Sequence, residues 1–429
     1  MKSKIWCWVG MLAFVPAVWG QLEVGSDGSD GVFNPGATIV VDLSQAAVLC
    51  NCDGIDQNGD SNFIDDPCRW DCPSPVAGKG VYDADKWAVV YKYQSVNIAS
   101  GRTVTFTNHP SNAPVVWLVQ DNVTIGGSVN LWGERAGSAS ASPTVPGPGG
   151  FPGGRATLSS ASLGSGGRGP GAAPYLQAPS ASAAGSYATQ GGNCVGTLRG
   201  ALYGNEYIVP LIGGSGASAC NGRGGAGAGA ILIAANGTIT INGSVAAVGG
   251  EGGGSGGAIR LVANTVAGTG SLDAHGGSYS GVGGYGRIRI EGFSITLPGG
   301  NPSPSISEPD VPPMIWPPSD APRIWATQVE YVDYNGATQT IAVPADPRAN
   351  IAFPNTDVAF QTDQQMILHI EAANVPQNWL VTVRVVPTSG DTLLVSADAL
   401  IGNLGSSTTT ATFTSPAGIA TMQIRADAP

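Results

Sequence analysis

The chain has 429 residues, 30 acidic against 19 basic, and its formal charge of −11 repels a phosphate backbone, so nucleic acid is not an expected partner. Only 11% of residues are charged, and every lysine lies at or before Lys92, which excludes amine chemistry from the rest of the chain. Glycine supplies 64 residues, and their spacing within an apolar repeat is the main structural signal.

Residues 1–20 read as a secretory signal peptide. Lys2 and Lys4 precede an apolar stretch from Ile5 to Trp19, and Val18 and Gly20 suit a cleavage site near Gly20. Cys7 lies inside the apolar stretch and not at the cleavage point, which argues against a lipid anchor. A mature chain from Gln21 keeps 17 basic and 30 acidic residues, a net −13. No later segment approaches the run of about eighteen apolar residues that a membrane span needs.

Residues 21–94 form a lead-in and cap. ATIVVDL is a strand candidate, and residues 50–72 are an insert rich in cysteine and aspartate. Six cysteines remain after cleavage: Cys50, Cys52, Cys68, Cys72, Cys194 and Cys220. An even count in an exported chain favours disulfides over zinc, the first four pairing among themselves and Cys194 with Cys220. Inside the insert, Asp56, Asn58 and Asp60 alternate and Asp65 and Asp66 follow, an oxygen-rich spacing that suits calcium and resembles dockerin loops. Gly59 and Pro67 depart from that pattern, and a solvated acidic turn held by disulfides is the alternative.

From Val81 to Phe106 the chain becomes aromatic and β-branched, as a capping strand followed by a first coil would be. Between Val115 and Ile290, within an expected solenoid domain over residues 95–297, it repeats every 27 to 29 residues. Ile231, Ile259 and Ile288 open triplets (ILI, IRL, IRI), and TITINGSVAAVGG, VAGTGSLDAHGG and VTIGGSVNLWG follow one pattern. A unit of this size cannot bury its own apolar face and must stack on its copies, which predicts an all-β fold, a parallel β-solenoid (β-helix). Period-2 alternation puts Ile231, Ile233, Ile259, Leu261, Ile288 and Ile290 inward and leaves Leu232, Arg260 and Arg289 as an outward column. Val123, Ile125, Val129 and Leu131 align inward with Ile239, Ile241, Val245 and Ala247. VVWLV is ambiguous, since a one-residue slip exchanges Trp117 with its neighbours. Glycines are expected at corners with positive φ. Their GxGxxG matches lack a crossover helix and a ribose acid, so no nucleotide site is expected.

A glycine-, serine- and proline-rich insertion, 133–229, interrupts the repeat. Its composition predicts an excursion packed on the solenoid side, loose in its first half and ordered in its second. Residues 298–323 read as an extended proline-rich linker. Residues 324–429 hold seven alternating segments (TQVEYV, TQTIAV, MILHIEA, WLVTVRVV, TLLVSA, TTTATFT, TMQIRA) and predict a C-terminal immunoglobulin-like β-sandwich, although the Cys…Trp…Cys signature is absent.

Chemistry-bearing residues are sparse. Asp273 and His275 share one side of a strand, aligned through Ala246 and Val248 with Asn130 and Trp132. Together with Arg260 and Arg289 they form a candidate sugar-binding wall. AHGG and RIRIE are similar to a polygalacturonase element, but the paired aspartates are missing. Glu251, Asp273 and Glu291 are the only acids from Arg223 to Glu291, which makes a poor glycosidase. His109 and His369 are isolated, and the sequons at Asn122, Asn236 and Asn242 fall in tight turns.

GSDGSDGVFNPGATIVVDLS, GVYDADKWAVVYKY, NHPSNAPVVWLVQDNVTIGGSVNLWG, GGAIRLVANTV and GGYGRIRIEG resemble a family of uncharacterised exported glycine-rich bacterial β-solenoid proteins, over most of Gly25 to Leu297. The resemblance implies a bacterial envelope or extracellular location and carries no catalytic residues. The expected function is a secreted non-enzymatic structural or adhesive protein of a surface or extracellular matrix, with surface glycans or envelope proteins as partners and end-to-end self-assembly open. The alternative is a carbohydrate-binding or polysaccharide-degrading β-helix. Calcium is the one cofactor expected.

Overall fold

The computed structural model describes residues 22–49, 75–84, 86–137, 142–156, 166–172, 183–192, 200–219, 222–278, 281–298, 300, 305–307, 315–316, 320, 322–333, 335–342, 362–387, 393–415 and 420–428. These are almost wholly strand and extended chain. The one helical piece among the described residues is the 3-10 turn Leu43–Gln45, capped by Asp42, whose side chain accepts from the Ser44 amide.

Successive copies of the repeat pair in parallel and in register. Ile231 faces Val115 on one side and Ile259 on the other, Ile259 faces Ile288, and Val115 faces Val89. A second column runs through Val96, Val123, Ile239, Val266 and Ile295. A third, in a separate five-stranded sheet, runs through Ile39, Val104, Val129, Val245 and Leu272. Apart from the terminal Ile39 and Ile295, every residue of these columns is buried in one cluster. Each buried aliphatic contributes about 1.5–3 kcal/mol relative to exposure, so the columns are the main source of stability. Toward the N-terminal end the column turns aromatic: Tyr91 faces Trp117 and stacks on Tyr93 at 5.3 Å between ring centroids.

The variable period has a local cause. Ala235 faces Ala263 but Thr238 faces Thr265, so the extra residue at Asn236–Gly237 is absorbed in a bulge. The sequon asparagines sit at these bends and are occupied. Asn122 Oδ1 accepts the Thr238 amide at 2.7 Å, Asn236 Oδ1 the Val24 amide at 2.8 Å and Asn242 Oδ1 the Thr269 amide at 3.3 Å.

One expectation is corrected on the outer face of the larger sheet. Leu232 and Arg260 are 2% and 5% exposed, because a second apolar layer covers that face: Leu22, Val24 and Ile315 against Val116, Leu118, Leu232 and Val262. All five residues of VVWLV are therefore buried, Trp117 in the main core and Val116 and Leu118 in the second cluster. A parallel strand covered on both faces reads as a continuous apolar run and loses its alternation. Part of the cover comes from segment 298–323, expected as an extended linker. Within it Ser305–Ser307 pairs in parallel with Arg287–Glu291, and Ile315 is buried.

The glycine-rich insertion also departs from expectation. Residues 146–154, placed in the loose half, are buried. Gly213 donates its amide to Gly149, Gly214 to Ala228, Ser215 to Ser255 Oγ and Gly216 to Arg168. Four consecutive amides thus reach four different segments. A strand would alternate between two neighbours. Gly252 and Gly253 take the positive φ expected of corner glycines, at 99° and 91°. Their neighbours are glycine for a different reason: a Cβ on Gly249, Gly254, Gly256 or Gly257 would stand 1.8 to 2.0 Å from a backbone carbonyl oxygen of an adjacent segment.

Each of the seven alternating C-terminal segments falls in a strand. Arg323–Val332, Thr338–Ala342, Gln364–Ala373, Ile401–Asn403 and Ser406–Ser415 form one antiparallel sheet, and Leu380–Pro387, Leu393–Ser396 and Ala420–Asp427 another. Met366, Leu368 and Phe413 from the first share a core with Val381, Val383 and Val385 from the second.

Candidate functional site

The five-stranded parallel sheet keeps an accessible outer face. It consists of Ile39–Asp42, Thr103–Thr107, Ser128–Asn130, Ser244–Ala246 and Ser271–Asp273. Its inward positions are apolar, and its outward positions, Val40 and Ala246 apart, are polar and lie in the same register. Thr103, Ser128, Ser244 and Ser271 make a hydroxyl column, in which Ser244 Oγ donates to Ser128 Oγ at 2.9 Å. Beside it run Asn130, Ala246 and Asp273, of which Ala246 is the smallest and is 7% exposed.

Just past the strand ends the backbone continues in step. Gly133 N donates to Val248 O at 3.1 Å and Gly249 N to His275 O at 3.0 Å, which aligns Trp132 with Val248 and His275. Trp132 is 58% exposed. Asp273 Oδ1 accepts the His275 amide at 3.1 Å and meets His275 Nδ1 at 2.7 Å. A carboxylate partner requires the proton on Nδ1, so the neutral ring presents Nε2 as an acceptor. Both side chains remain partly accessible, at 32% for Asp273 and 40% for His275. Trp132, Asp273 and His275 thus lie on one face, as the repeat register requires.

Arg260 and Arg289 do not join them. Arg260 Nε donates to Glu291 Oε1 at 2.8 Å and Arg289 Nε to the same oxygen at 2.9 Å, with all three side chains nearly withdrawn from water. Arg260 Nη1 also donates to Ile315 O at 3.1 Å, and the Arg289 guanidinium lies 4.9 Å from the Tyr207 ring centroid. A side chain pointing away from the main core of this sheet enters the second layer instead of solvent. Both arginines are structural ions there.

The remaining histidines have local partners. His109 stacks on Tyr82 at 4.3 Å and bonds Ser111 Oγ through Nδ1 at 2.7 Å, and burial lowers its pKa. His369 Nε2 lies 3.4 Å from Glu330. Tyr187 and Tyr203 pin the glycine-rich insertion. Their rings stack at 4.4 Å, and their hydroxyls donate to Ile212 O at 2.8 Å and Gly213 O at 2.6 Å. The insertion holds four tyrosines, Tyr175, Tyr187, Tyr203 and Tyr207, in a stretch dominated by glycine, serine, alanine and proline.

The calcium candidates Asp56, Asn58, Asp60, Asp65 and Asp66, the cysteines Cys50, Cys52, Cys68, Cys72, Cys194 and Cys220, and residues 1–20, expected as a signal peptide, lie outside the described residues. Among the described residues no group of three or more His, Cys, Asp or Glu is placed to hold a metal, and no helix is long and apolar enough to cross a membrane. No family model, no curated protein and no solved structure matches the chain.

Proposed function

We propose that this chain is a secreted, non-enzymatic structural or adhesive protein of a bacterial surface or extracellular matrix. Its body is a parallel β-solenoid followed by an immunoglobulin-like β-sandwich. The observation that carries this reading is the unbroken, in-register apolar column from Val89 through Val115, Ile231 and Ile259 to Ile288. Such a column spends the repeat on a stiff scaffold, and Arg260, Arg289 and Glu291 on the same strands pair with one another nearly withdrawn from water. Export is supported by the Lys2/Lys4 and Ile5–Trp19 pattern and by the family resemblance, and it favours disulfides among the six mature cysteines.

Electron microscopy of the purified mature chain, with turnover assays on neutral and acidic polysaccharides, tests the reading. Slender particles without turnover are expected. Turnover abolished by His275→Ala would replace this reading with the polysaccharide-degrading one. Calcium in the 50–72 insert is a separate proposal, tested by calorimetric titration of the mature chain: heat lost in Asp56→Asn with Asp60→Asn supports it, and no heat with calcium refutes it.

A further inference from the structure

We propose that the outer face of the five-stranded sheet is a binding site for a neutral polysaccharide, seated in the trough between Trp132 and the Asp273–His275 pair. The proposal rests on the adhesive reading above and names the ligand class. Three features of the face carry it.

The trough has a floor and two unlike walls. Ala246 and Val248 occupy the middle strand and its extension, with Asn130 and Trp132 on one neighbour and Asp273 and His275 on the other. Adjacent strands lie roughly 4.8 Å apart, so the walls stand about two such steps from each other. Small floor residues between larger walls leave a shallow channel about as wide as one sugar ring.

The wall chemistry matches a pyranose. A sugar ring offers an apolar face of C–H groups and an edge of hydroxyls. Trp132, 58% exposed on an ordered strand end, supplies a flat apolar platform with one polar handle. Asn130 and Asp273 face the hydroxyl edge as donor and acceptors, and His275 adds Nε2 with its ring held by Asp273.

Charge selects the neutral polymer. The face carries Asp273 on a chain of net charge −11, and Arg260 and Arg289, which would have offset a uronate or sulfate, are bound to Glu291 on the other sheet and nearly withdrawn from water. An acidic glycan would meet the Asp273 carboxylate, and Arg135, the exposed arginine three residues past Trp132, is already paired with Glu251 at 3.1 Å.

The test is native affinity electrophoresis of the full mature chain in gels containing hydroxyethyl cellulose, glucomannan or polygalacturonate. A neutral polymer should retard the protein. Trp132→Ala should weaken that retardation at least tenfold, and Asp273→Asn with His275→Ala about threefold. Val40→Thr, exposed on the far edge strand of the same face, should leave it unchanged, with melting temperatures confirming that each variant is folded. The proposal is overturned if neither neutral polymer retards the folded protein, if only polygalacturonate does, or if Trp132→Ala behaves as the parent. His275-dependent shortening of the polymer would uphold the site and overturn the non-enzymatic reading alone.

Discussion

Arg260 donates through Nε to Glu291 Oε1 at 2.8 Å, across neighbouring strands and beneath a second apolar layer. Because Arg289 shares that oxygen, Glu291 is the counter-ion for two cations at once. Removing one partner of a buried pair strands the other, at about 3–5 kcal/mol. Glu291→Ala should therefore lower unfolding free energy in urea by that amount or more. The triple change Arg260→Met, Arg289→Leu, Glu291→Leu should recover most of the loss. A Glu291→Ala protein as stable as the parent would mean that water reaches the pair.

Close backbone approach predicts a sharp contrast among glycines. A Cβ on Gly257 would sit 1.8 Å from the Gly229 carbonyl oxygen and one on Gly286 1.9 Å from that of Gly257, whereas nothing lies within 4 Å of one on Gly36. Gly257→Ala and Gly286→Ala should each cost about 3 kcal/mol or more, as overpacking against an unyielding backbone does. Gly36→Ala should stay within about 0.5 kcal/mol of the parent. Thermal melts of the three variants check the ordering.

His109 sets a pH dependence. Burial lowers its folded pKa below the unfolded value of about 6.5, so the unfolded chain binds a proton that the folded one resists. Stability from this group is complete above about pH 6.5 and declines as pH falls from there toward the lowered folded pKa. Melting temperatures between pH 7 and pH 5 should fall, and His109→Gln should flatten the slope. An identical slope in the variant would remove His109 from the account.

The in-register pairing of Ile231, Ile259 and Ile288 is legible in the sequence because alternation and spacing are local properties, and the same register carries Trp132, Asp273 and His275 to one face. The burial of Arg260 and Arg289 is not legible. It depends on Leu22, Val24 and Ile315, which lie far from the repeat in sequence and cover that face only once the chain is folded. The packed insertion was hidden for a different reason. Its order comes from backbone hydrogen bonds between glycine-rich segments, and glycine without a side chain leaves no apolar pattern to read, only spacings such as Gly147, Gly150 and Gly153 at every third residue.

Core truncation should follow the columns. Ile259→Ala removes a fully buried side chain flanked by Ile231 and Ile288 and should cost about 2–5 kcal/mol, while Ile259→Asp should prevent folding. Secretion yield and denaturant midpoints measure both. An Ile259→Asp protein with unchanged melting would place that residue outside the core.

Engineered cross-linking tests the parallel, in-register stack most directly. Ser128 faces Ser244 and Ser244 faces Ser271 on successive strands, all on the accessible face. Cysteine pairs at neighbouring strand positions fall within disulfide reach, and pairs two strands apart do not. Peptide mass spectrometry should find the new bond in Ser128→Cys with Ser244→Cys and in Ser244→Cys with Ser271→Cys, and none in Ser128→Cys with Ser271→Cys. Cross-linking of the last pair, or of neither neighbouring pair, would contradict the stacked register.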